Sequence, residues 1–351
     1  MESYNFGEGL RFNGESGNSI RLTGYTQPMI DLKNFTDIEE NSSSERYRLR
    51  RLRLRIDGTS SNQRFGYRFQ VDLSGTSEVG DNTGDYLLDA YGSYLRPYFA
   101  LTNGDGRNAF DKDRGGLKVG GRLDYLPFGL FTNLGQFRQI DVMREQTPKF
   151  VIGAHFSHNS GMSSRRGRAS GEIIYLNSND EESLPDYVKY GVDFLLKYRG
   201  FSAIGEYIKS EATVPENITQ RVRNNGSIST SFLVDGVEDI DSYVRGRMML
   251  GEAYNIQMGY LFKSGFSVDT RYTHLIADQH SFLNNATFYN RPNYYTFGVG
   301  KLMSRNYGFK IQASVTYVDG SLGVNHDYDI GTDAVFNDEI LFRLITTISF
   351  W

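Results

Sequence analysis

The sequence predicts an all-β fold, a single antiparallel transmembrane β-barrel, on the basis of three observations. Segments of about ten residues alternate between apolar and polar side chains, as strands of a membrane barrel do. Tight turns and long polar loops join these segments alternately, which is typical of short periplasmic turns and long outer loops. The composition includes 24 Tyr, 24 Phe and 38 Gly, as aromatic girdles and glycine-rich turns would require.

The final segment, residues 341–351, has the pattern of a closing strand. One face carries Phe342, Leu344, Thr346, Ile348 and Phe350 at strand period, and the other carries Arg343, Thr347 and Ser349. We expect the first face to meet lipid and the strand to pair with the first strand of the barrel. An aromatic end is also the kind of signal that outer-membrane assembly recognises.

Composition excludes other classes of protein. Hydrophobic residues make up 39% of the chain and the mean hydropathy is −0.47. No apolar run approaches the roughly 20 residues that a membrane helix needs. Cysteine is absent, which is compatible with the oxidising outer envelope. No signal peptide is visible at the start, so we expect one that was cleaved or left out. The alternative, a soluble β-sandwich, would not need aromatic residues at both strand ends.

We expect residues 1–351 to form one barrel domain of fourteen strands by direct count. An even number places both termini in the periplasm. Residues 169–177 are assigned to a loop extension, and the longest loop, 213–251, is expected to be an outer loop that is partly ordered. The predicted strands are 20–30, 46–56, 64–74, 86–95, 98–102, 116–126, 150–158, 187–198, 201–210, 252–263, 266–277, 293–303, 308–318 and 340–350.

The densest run of positive charge is residues 46–56. In an unbroken strand its arginines would occupy both faces, and an arginine facing lipid at mid-membrane costs about 2–4 kcal/mol. A bulge at Arg50-Arg51 would restore the alternation. The residues that would then share the lumen are Arg46, Arg48, Arg51, Arg53 and Arg55. The alternative is an interfacial segment whose arginines bind lipid headgroups.

Arg51, Arg53 and Arg55 are therefore predicted to line an ion pathway. Supporting residues are expected on other strands: Arg68, Arg122, Lys197 and Arg271. Acids are fewer at the predicted lumen positions, although the formal net charge of the whole chain is −4. Basic walls raise the local anion concentration, and arginine can hold a phosphate or carboxylate through two hydrogen bonds. For any one arginine the alternative is a structural ion pair, as Asp72 could form.

The sequence does not predict an enzyme. His155 and Ser157 share a strand face, but no third residue completes a catalytic group. Acidic clusters at 111–113, 179–182 and 319–329 do not match the spacing of an EF-hand and are expected to be solvated loops. No glycine-rich phosphate loop opens a helix. We therefore predict no cofactor, no metal and no nucleic-acid partner.

Short segments over nearly the whole chain follow a recognisable order. They are Gly9-Leu10-Arg11-Phe12, 20–24, Arg50-Arg51-Leu52-Arg53-Leu54, Tyr67-Arg68-Phe69, Asn103-Gly104-Asp105-Gly106, Gly121-Arg122-Leu123, Pro127-Phe128-Gly129, Thr147-Pro148-Lys149, 197–202 and Arg343-Leu344. In this order the chain resembles the phosphate-selective porin O and P family, particularly its Bacteroidetes-type members. The resemblance implies a barrel of 16 strands, typically trimeric, that passes anions.

The chain departs from the family pattern at one place that affects the strand count. The family carries a substantial segment, including part of the constriction, where this chain has only Leu95-Arg96-Pro97. We expect either a tight turn at Arg96-Pro97, which closes a barrel of fourteen strands, or residues missing from the sequence. Trp351 also extends one residue beyond the usual terminal Phe.

The expected function is passive transport of small solutes across the bacterial outer membrane, with a preference for anions, phosphate among them. The expected partners are outer-membrane lipid, lipopolysaccharide and small anions, with a homotrimer or a larger outer-membrane complex as the assembly. The alternative is a structural or docking subunit of a larger complex, with its lumen plugged by loops. The radius of the pore would distinguish the two hypotheses.

Overall fold

The computed structural model describes residues 3–5, 9–35, 44–61, 66–72, 95–102, 116–162, 174–223, 226–284, 291–303, 308–319 and 338–350. Strands dominate these residues. The only helical elements among them are one α-helix and the 3-10 turns Thr132–Phe137 and Phe282–Asn284. None of the helices in the described residues is long and apolar enough to span a membrane.

The elements in chain order are β1 Ser3–Asn5, β2 Gly9–Asn13, β3 Ser19–Phe35, β4 Ser44–Thr59, β5 Gly66–Asp72, β6 Leu95–Thr102, β7 Lys118–Tyr125, β8 Lys149–Asn159, β9 Ile174–Leu176, β10 Asp186–Tyr198, β11 Phe201–Thr213, β12 Gln220–Val222, β13 Ile228–Ser229, β14 Leu233–Val234, β15 Val237–Glu238, α1 Ile240–Arg245, β16 Gly251–Leu261, β17 Phe266–Ala277, β18 Asn293–Leu302, β19 Phe309–Asp319 and β20 Glu339–Phe350.

One antiparallel sheet of 15 strands comprises 13 wall strands and the hairpin of β1 and β2, which pairs with the start of β3. The wall runs in the order β6-β7-β8-β10-β11-β16-β17-β18-β19-β20-β3-β4-β5. The last strand, β20, pairs with β3 from Glu339↔Phe35 to Phe350↔Gly24. This confirms the expected pairing between the closing strand and the first barrel strand, and it confirms the antiparallel β-barrel class. The segment 73–94 lies between β5 and β6, outside the described residues.

The two faces of the wall differ as the alternation predicts. On β18 the outward side chains of Tyr295, Phe297 and Val299 are 48%, 59% and 45% exposed, whereas the inward Thr296 is 9% exposed. The same alternation occurs on β7, where Val119, Leu123 and Tyr125 are exposed. A continuous belt of exposed apolar side chains on an isolated sheet is what a lipid-facing wall requires.

Tight turns gather at one end of the wall and long connections at the other. Arg199-Gly200 joins β10 to β11, and residues 262–265 join β16 to β17. Gly200 and Gly265 have φ of +96° and +84°, a conformation that favours glycine in such turns. The segment 126–148 between β7 and β8 lies at this same end, because Arg199 donates its backbone N–H to the carbonyl of Glu145.

At the opposite end, the long connections fold together. β9 pairs with β12 and β12 with β13, which joins the connection before β10 to the one after β11. We call residues 174–184 and 214–250 the loop lobe. Its own hydrophobic core includes Tyr175, Ile218, Phe232, Tyr243 and Met248. The assignment of 169–177 to a loop extension is thus confirmed for β9. The prediction that 213–251 is partly ordered is confirmed for the described residues, which lie at the end of the wall opposite the tight turns. That this end faces outward stays a prediction.

The predicted turn at Arg96-Pro97 is wrong. Both residues lie inside β6, where Arg96 pairs with Asp124 and Pro97 with Leu123 on β7. The two predicted strands 86–95 and 98–102 therefore do not meet in a hairpin, and the count of fourteen is not confirmed. Proline is typical of turns, but it also fits strand positions where its missing N–H would not take part in the hydrogen bonds between strands.

Candidate functional site

The arginine-rich strand β4 carries the predicted bulge. The register with β3 shifts between Gln27, which pairs with Arg51, and Pro28, which pairs with Leu49. Arg50 is therefore the extra residue. Because the bulge absorbs one position, Arg46 and Arg48 lie opposite inward residues of β3, as do Arg51, Arg53 and Arg55. The prediction of a bulge that unites these arginines on one face is confirmed by the register.

Arg53 and Arg55 are held at the inner surface by neighbouring polar groups. Arg53 donates to the hydroxyl of Tyr25 at 3.2 Å. Arg55 lies 2.9 Å from the carboxylate of Asp57, and Arg21 approaches the same carboxylate at 3.4 Å. Two guanidinium groups therefore share one carboxylate.

Arg51 and Arg68 are located by backbone register alone. Arg51 pairs with Gln27, and Arg68 pairs with Asp57 across β4 and β5. Asp72 occupies the partner position of Arg53, so the register is compatible with the ion pair that we named as the alternative. The side chains of Arg51, Arg68 and Asp72 are outside the described part of the structure.

Two further inward arginines lie on β17 and β20, which β18 and β19 separate in the sheet. Arg343 pairs with Asp31 of β3 at 2.7 Å. Arg271 on β17 interacts electrostatically with both Arg343 and Asp269. Arg343 lies beside the arginines of β3 and β4, since β20 is the strand next to β3, and Arg271 lies three strands farther along the wall.

Arg122 has a different environment, because two carboxylates bind it. Its guanidinium donates to Asp193 on β10 at 2.5 and 2.8 Å, and its Nε lies 2.7 Å from Asp124. The bridge to Asp193 crosses over β8 at Gly153, where a Cβ atom would overlap the guanidinium. Arg122 therefore ties three strands together, and its charge is compensated.

Lys197 does not line the open lumen. Its side chain is 1% exposed, and Nζ donates to the carbonyls of Gly135 and Ile140 at 2.9 Å each. Those carbonyls belong to segment 126–148, which folds inward against the wall. Arg96 is equally buried and lies 4.3 Å from the ring of Phe137 in the same segment. The assignment of Lys197 to the pathway is corrected for this reason: segment 126–148 covers its ammonium group.

The inward positions of the described wall strands carry more basic than acidic residues. Where the structure describes the side chains, the basic residues are Arg21, Arg53, Arg55, Arg96, Lys118, Arg122, Lys149, Lys189, Lys197, Arg271, Lys310 and Arg343. The acidic residues are Asp31, Asp57, Asp124, Asp193, Glu206, Asp269 and Glu339. Sequence reasoning named Arg51, Arg53, Arg55, Arg68, Arg122 and Arg271 for this face, and each occupies an inward strand position. It did not name Arg96, because Arg96 was assigned to a turn.

The described residues contain no group of histidine, cysteine, aspartate or glutamate side chains that could hold a metal ion. The ring of His155 lies against Gly191, and its charged neighbours across the strands include Arg122 and Asp193. The inner surface can bind and orient charged solutes, and it holds charges close to the path that a solute would take.

No protein-family model matches the chain, and no curated protein matches it. Solved structures that are similar to this chain include OmpT, an outer membrane protein of Vibrio cholerae. It has 10% identity, the comparison covers 96% of this chain and 99% of that chain, and the TM-score is 0.42. An anion-selective porin from Comamonas acidovorans has 9% identity, coverage of 95% and 100%, and a TM-score of 0.43. The outer membrane channel DcaP of Acinetobacter baumannii has 13% identity, coverage of 97% and 99%, and a TM-score of 0.38. Similarity this distant does not transfer a function, and the anion selectivity of the Comamonas acidovorans porin is that protein's own.

Proposed function

We propose that this chain is a passive porin of the bacterial outer membrane that passes small solutes and prefers anions. The observation that carries the proposal is the excess of basic over acidic residues at the inward positions of the described wall strands, where Arg21 and Arg55 both approach the carboxylate of Asp57. A surplus of fixed positive charge on a low-dielectric wall raises the concentration of anions beside it.

The outward surface supports the location in the membrane. Exposed apolar side chains occur on every side of the described wall, from Leu95 and Phe99 on β6 to Leu54 and Ile56 on β4. A ladder of tyrosines crosses four strands on the outward face: Tyr254, Tyr272, Tyr295 and Tyr317, with successive ring centroids 6.1, 5.1 and 6.3 Å apart. Such rings suit the boundary between acyl chains and headgroups, so lipid and lipopolysaccharide are the proposed partners.

The proposed ion pathway runs along β4. Arg51, Arg53 and Arg55 are two residues apart, so their Cα atoms are spaced by about 7 Å. An anion could pass from one guanidinium to the next, provided that each site releases it readily. Arg68 and Arg271 extend this basic surface on β5 and β17. We assign structural roles to Arg122 and Lys197, because the first is bound by two carboxylates and the second is covered.

Planar-bilayer recordings test the proposal. In a KCl gradient the wild-type channel should show an anion-selective reversal potential, and added phosphate should reduce the chloride current. Replacing Arg51, Arg53 and Arg55 together with Gln should move the reversal potential toward zero. The matched control removes three positive charges elsewhere, with Arg223, Lys263 and Lys301 changed to Gln, and should leave the reversal potential unchanged. A cation-selective wild type, or a triple variant with unaltered selectivity, would contradict the proposal.

A second candidate function is that of a docking subunit in a larger outer-membrane complex. The loop lobe favours it, because a hydrophobic core of its own gives this connection a defined protein surface. Correctly folded protein that carries no current in bilayers would support docking. Chemical cross-linking in native membranes would then identify either the homotrimer implied by the family resemblance or a different partner.

A further inference from the structure

Segment 126–148 fills part of the barrel interior at the end with the tight turns. Leu126 and Phe131 pack against Val151 and Leu195, which face inward from β8 and β10. The aromatic ring of Phe137 contacts the inward Arg96 of β6. Because these contacts lie on the inner face of three wall strands, the segment occupies space that a solute would otherwise use.

The segment is fixed to the wall by buried polar groups. Lys197 donates to two of its backbone carbonyls. Asp141 accepts from the backbone N–H of Gly200 at 2.7 Å. The backbone carbonyl of Glu145 accepts from the backbone N–H of Arg199, while its carboxylate braces the segment internally by accepting from the backbone N–H of Thr132 at 2.7 Å. Both carboxylates belong to buried residues, and buried charged groups with several partners resist displacement.

A further contact ties the segment to the next tight turn. Arg144 contacts the backbone carbonyl of Leu261, and it donates to the hydroxyl of Tyr260 at 3.3 Å. The segment therefore has polar contacts with β10, with the turn between β10 and β11, and with β16.

We propose that segment 126–148 is the size filter of the channel and sets the largest solute that passes. This inference rests on the proposed porin function but is separate from the choice of ion. The arginines of β4 select the sign of the solute, whereas the inward segment limits its radius.

The test is the exclusion of neutral polyethylene glycols of graded size from the pore, measured through single-channel conductance in 1 M KCl. At this salt the Debye length is about 3 Å, so wall charges contribute little and the polymers report the radius. In one variant residues 129–148 are replaced by Asn-Gly. The hairpin can close in this way because Tyr125 and Ile152 are paired neighbours on β7 and β8. We expect higher conductance and an exclusion limit shifted to larger polymers.

A second variant keeps the segment and removes its anchor. Lys197→Met leaves Asp141 and Glu145 buried without this cation, so we expect a shift of the exclusion limit in the same direction. The control, Lys209→Met on the neighbouring strand, changes an outward lysine paired with Glu211 and should leave the limit unchanged.

Folded protein is identified by heat-modifiable mobility on gels. If the replacement variant folds and its exclusion limit equals that of the wild type, the proposal is wrong. If that variant does not fold, an unshifted limit in Lys197→Met overturns it. A wild-type barrel without any current would instead refute the porin function. If the exclusion limit shifts while the reversal potential of both variants stays that of the wild type, the size filter and the anion selectivity are supported separately.

Discussion

Arg122 reaches Asp193 across the intervening strand β8 because position 153 is a glycine. The guanidinium lies over Gly153, and a Cβ there would overlap Arg122 and also approach Asp124. The sequence indicated that Arg122 faces inward, but it could not show which acid would bind it. The choice depends on which strands are neighbours and on which position between them lacks a side chain.

Gly153→Ala should therefore destabilise the barrel by displacing the Arg122–Asp193 bridge. Overpacking of this kind typically costs about 1–3 kcal/mol. The measurement is urea unfolding in detergent, monitored by far-ultraviolet circular dichroism. Gly121→Ala is the matched control, since its added Cβ would face outward with the nearest atom, the carbonyl oxygen of Tyr98, at 3.5 Å. Equal losses of stability in the two variants would contradict this account.

At the scale of elements, the bulge in β4 decides which face the arginines occupy. Arg50 is unpaired in the register between Gln27↔Arg51 and Pro28↔Leu49. The run of arginines signalled the bulge in the sequence, because only a shift of phase keeps all of them from lipid while the leucines alternate outward.

Deletion of Arg50 should be tolerated, because Arg48, Leu49 and Arg51 would then follow each other in unbroken alternation. Deletion of Leu52 should not be tolerated. It would turn Arg53 and Arg55 toward lipid, at about 2–4 kcal/mol for each residue at the midplane. Outer-membrane fractions assayed for heat-modifiable protein would distinguish the two. Folding of both variants to the same extent would show that β4 can slip its register freely.

The short helix α1 in the loop lobe depends on its N-cap. Asp239 accepts from the backbone N–H of Ser242 at 3.0 Å and from its hydroxyl at 2.7 Å. These bonds hold the pKa of Asp239 below its usual value. A depressed folded-state pKa stabilises the lobe above the unfolded pKa of about 3.9, and this contribution is lost as the pH falls through the folded value.

Asp239→Ala should thus loosen the lobe by about 0.5–2 kcal/mol at neutral pH, the usual cost of losing an N-cap. Hydrogen exchange of residues 240–245 would measure it. Acidification below the carboxyl pKa should lower the protection factors, the intrinsic exchange rates relative to the observed rates at the same pH, in the wild type and change them less in the variant. Asp241→Ala, which removes only the exposed pair with Arg245, should have a smaller effect at neutral pH. An identical acid response in wild type and Asp239→Ala would exclude the cap as its origin.

At the scale of the whole molecule, the loop lobe and the tight turns lie at opposite ends of the wall. Val237 in the lobe is 66% exposed, and Lys263 lies in the turn between β16 and β17. Because the chain contains no cysteine, a single introduced cysteine reports the side of the membrane without ambiguity.

Val237→Cys should react with a membrane-impermeant maleimide on intact cells, as an outer loop would. Lys263→Cys should react only after the outer membrane is permeabilised, since its turn is expected to face the periplasm. The cysteine-free wild type is the control for background labelling. If Lys263→Cys alone were labelled on intact cells, every strand would have the opposite orientation in the membrane.

The amino-acid sequence by itself determined the barrel class, the outward faces of the strands, the bulge at Arg50 and the loop assignment of β9. Each follows from local alternation, because a strand with one face in lipid carries apolar side chains at every second position. Only the tertiary structure decided the placement of Arg96, the burial of Lys197 and the inward course of segment 126–148. Those depend on contacts between residues far apart in the chain, which have no local pattern. A proline within a strand and a lysine at an inward position look the same in sequence whether solvent or another segment covers them.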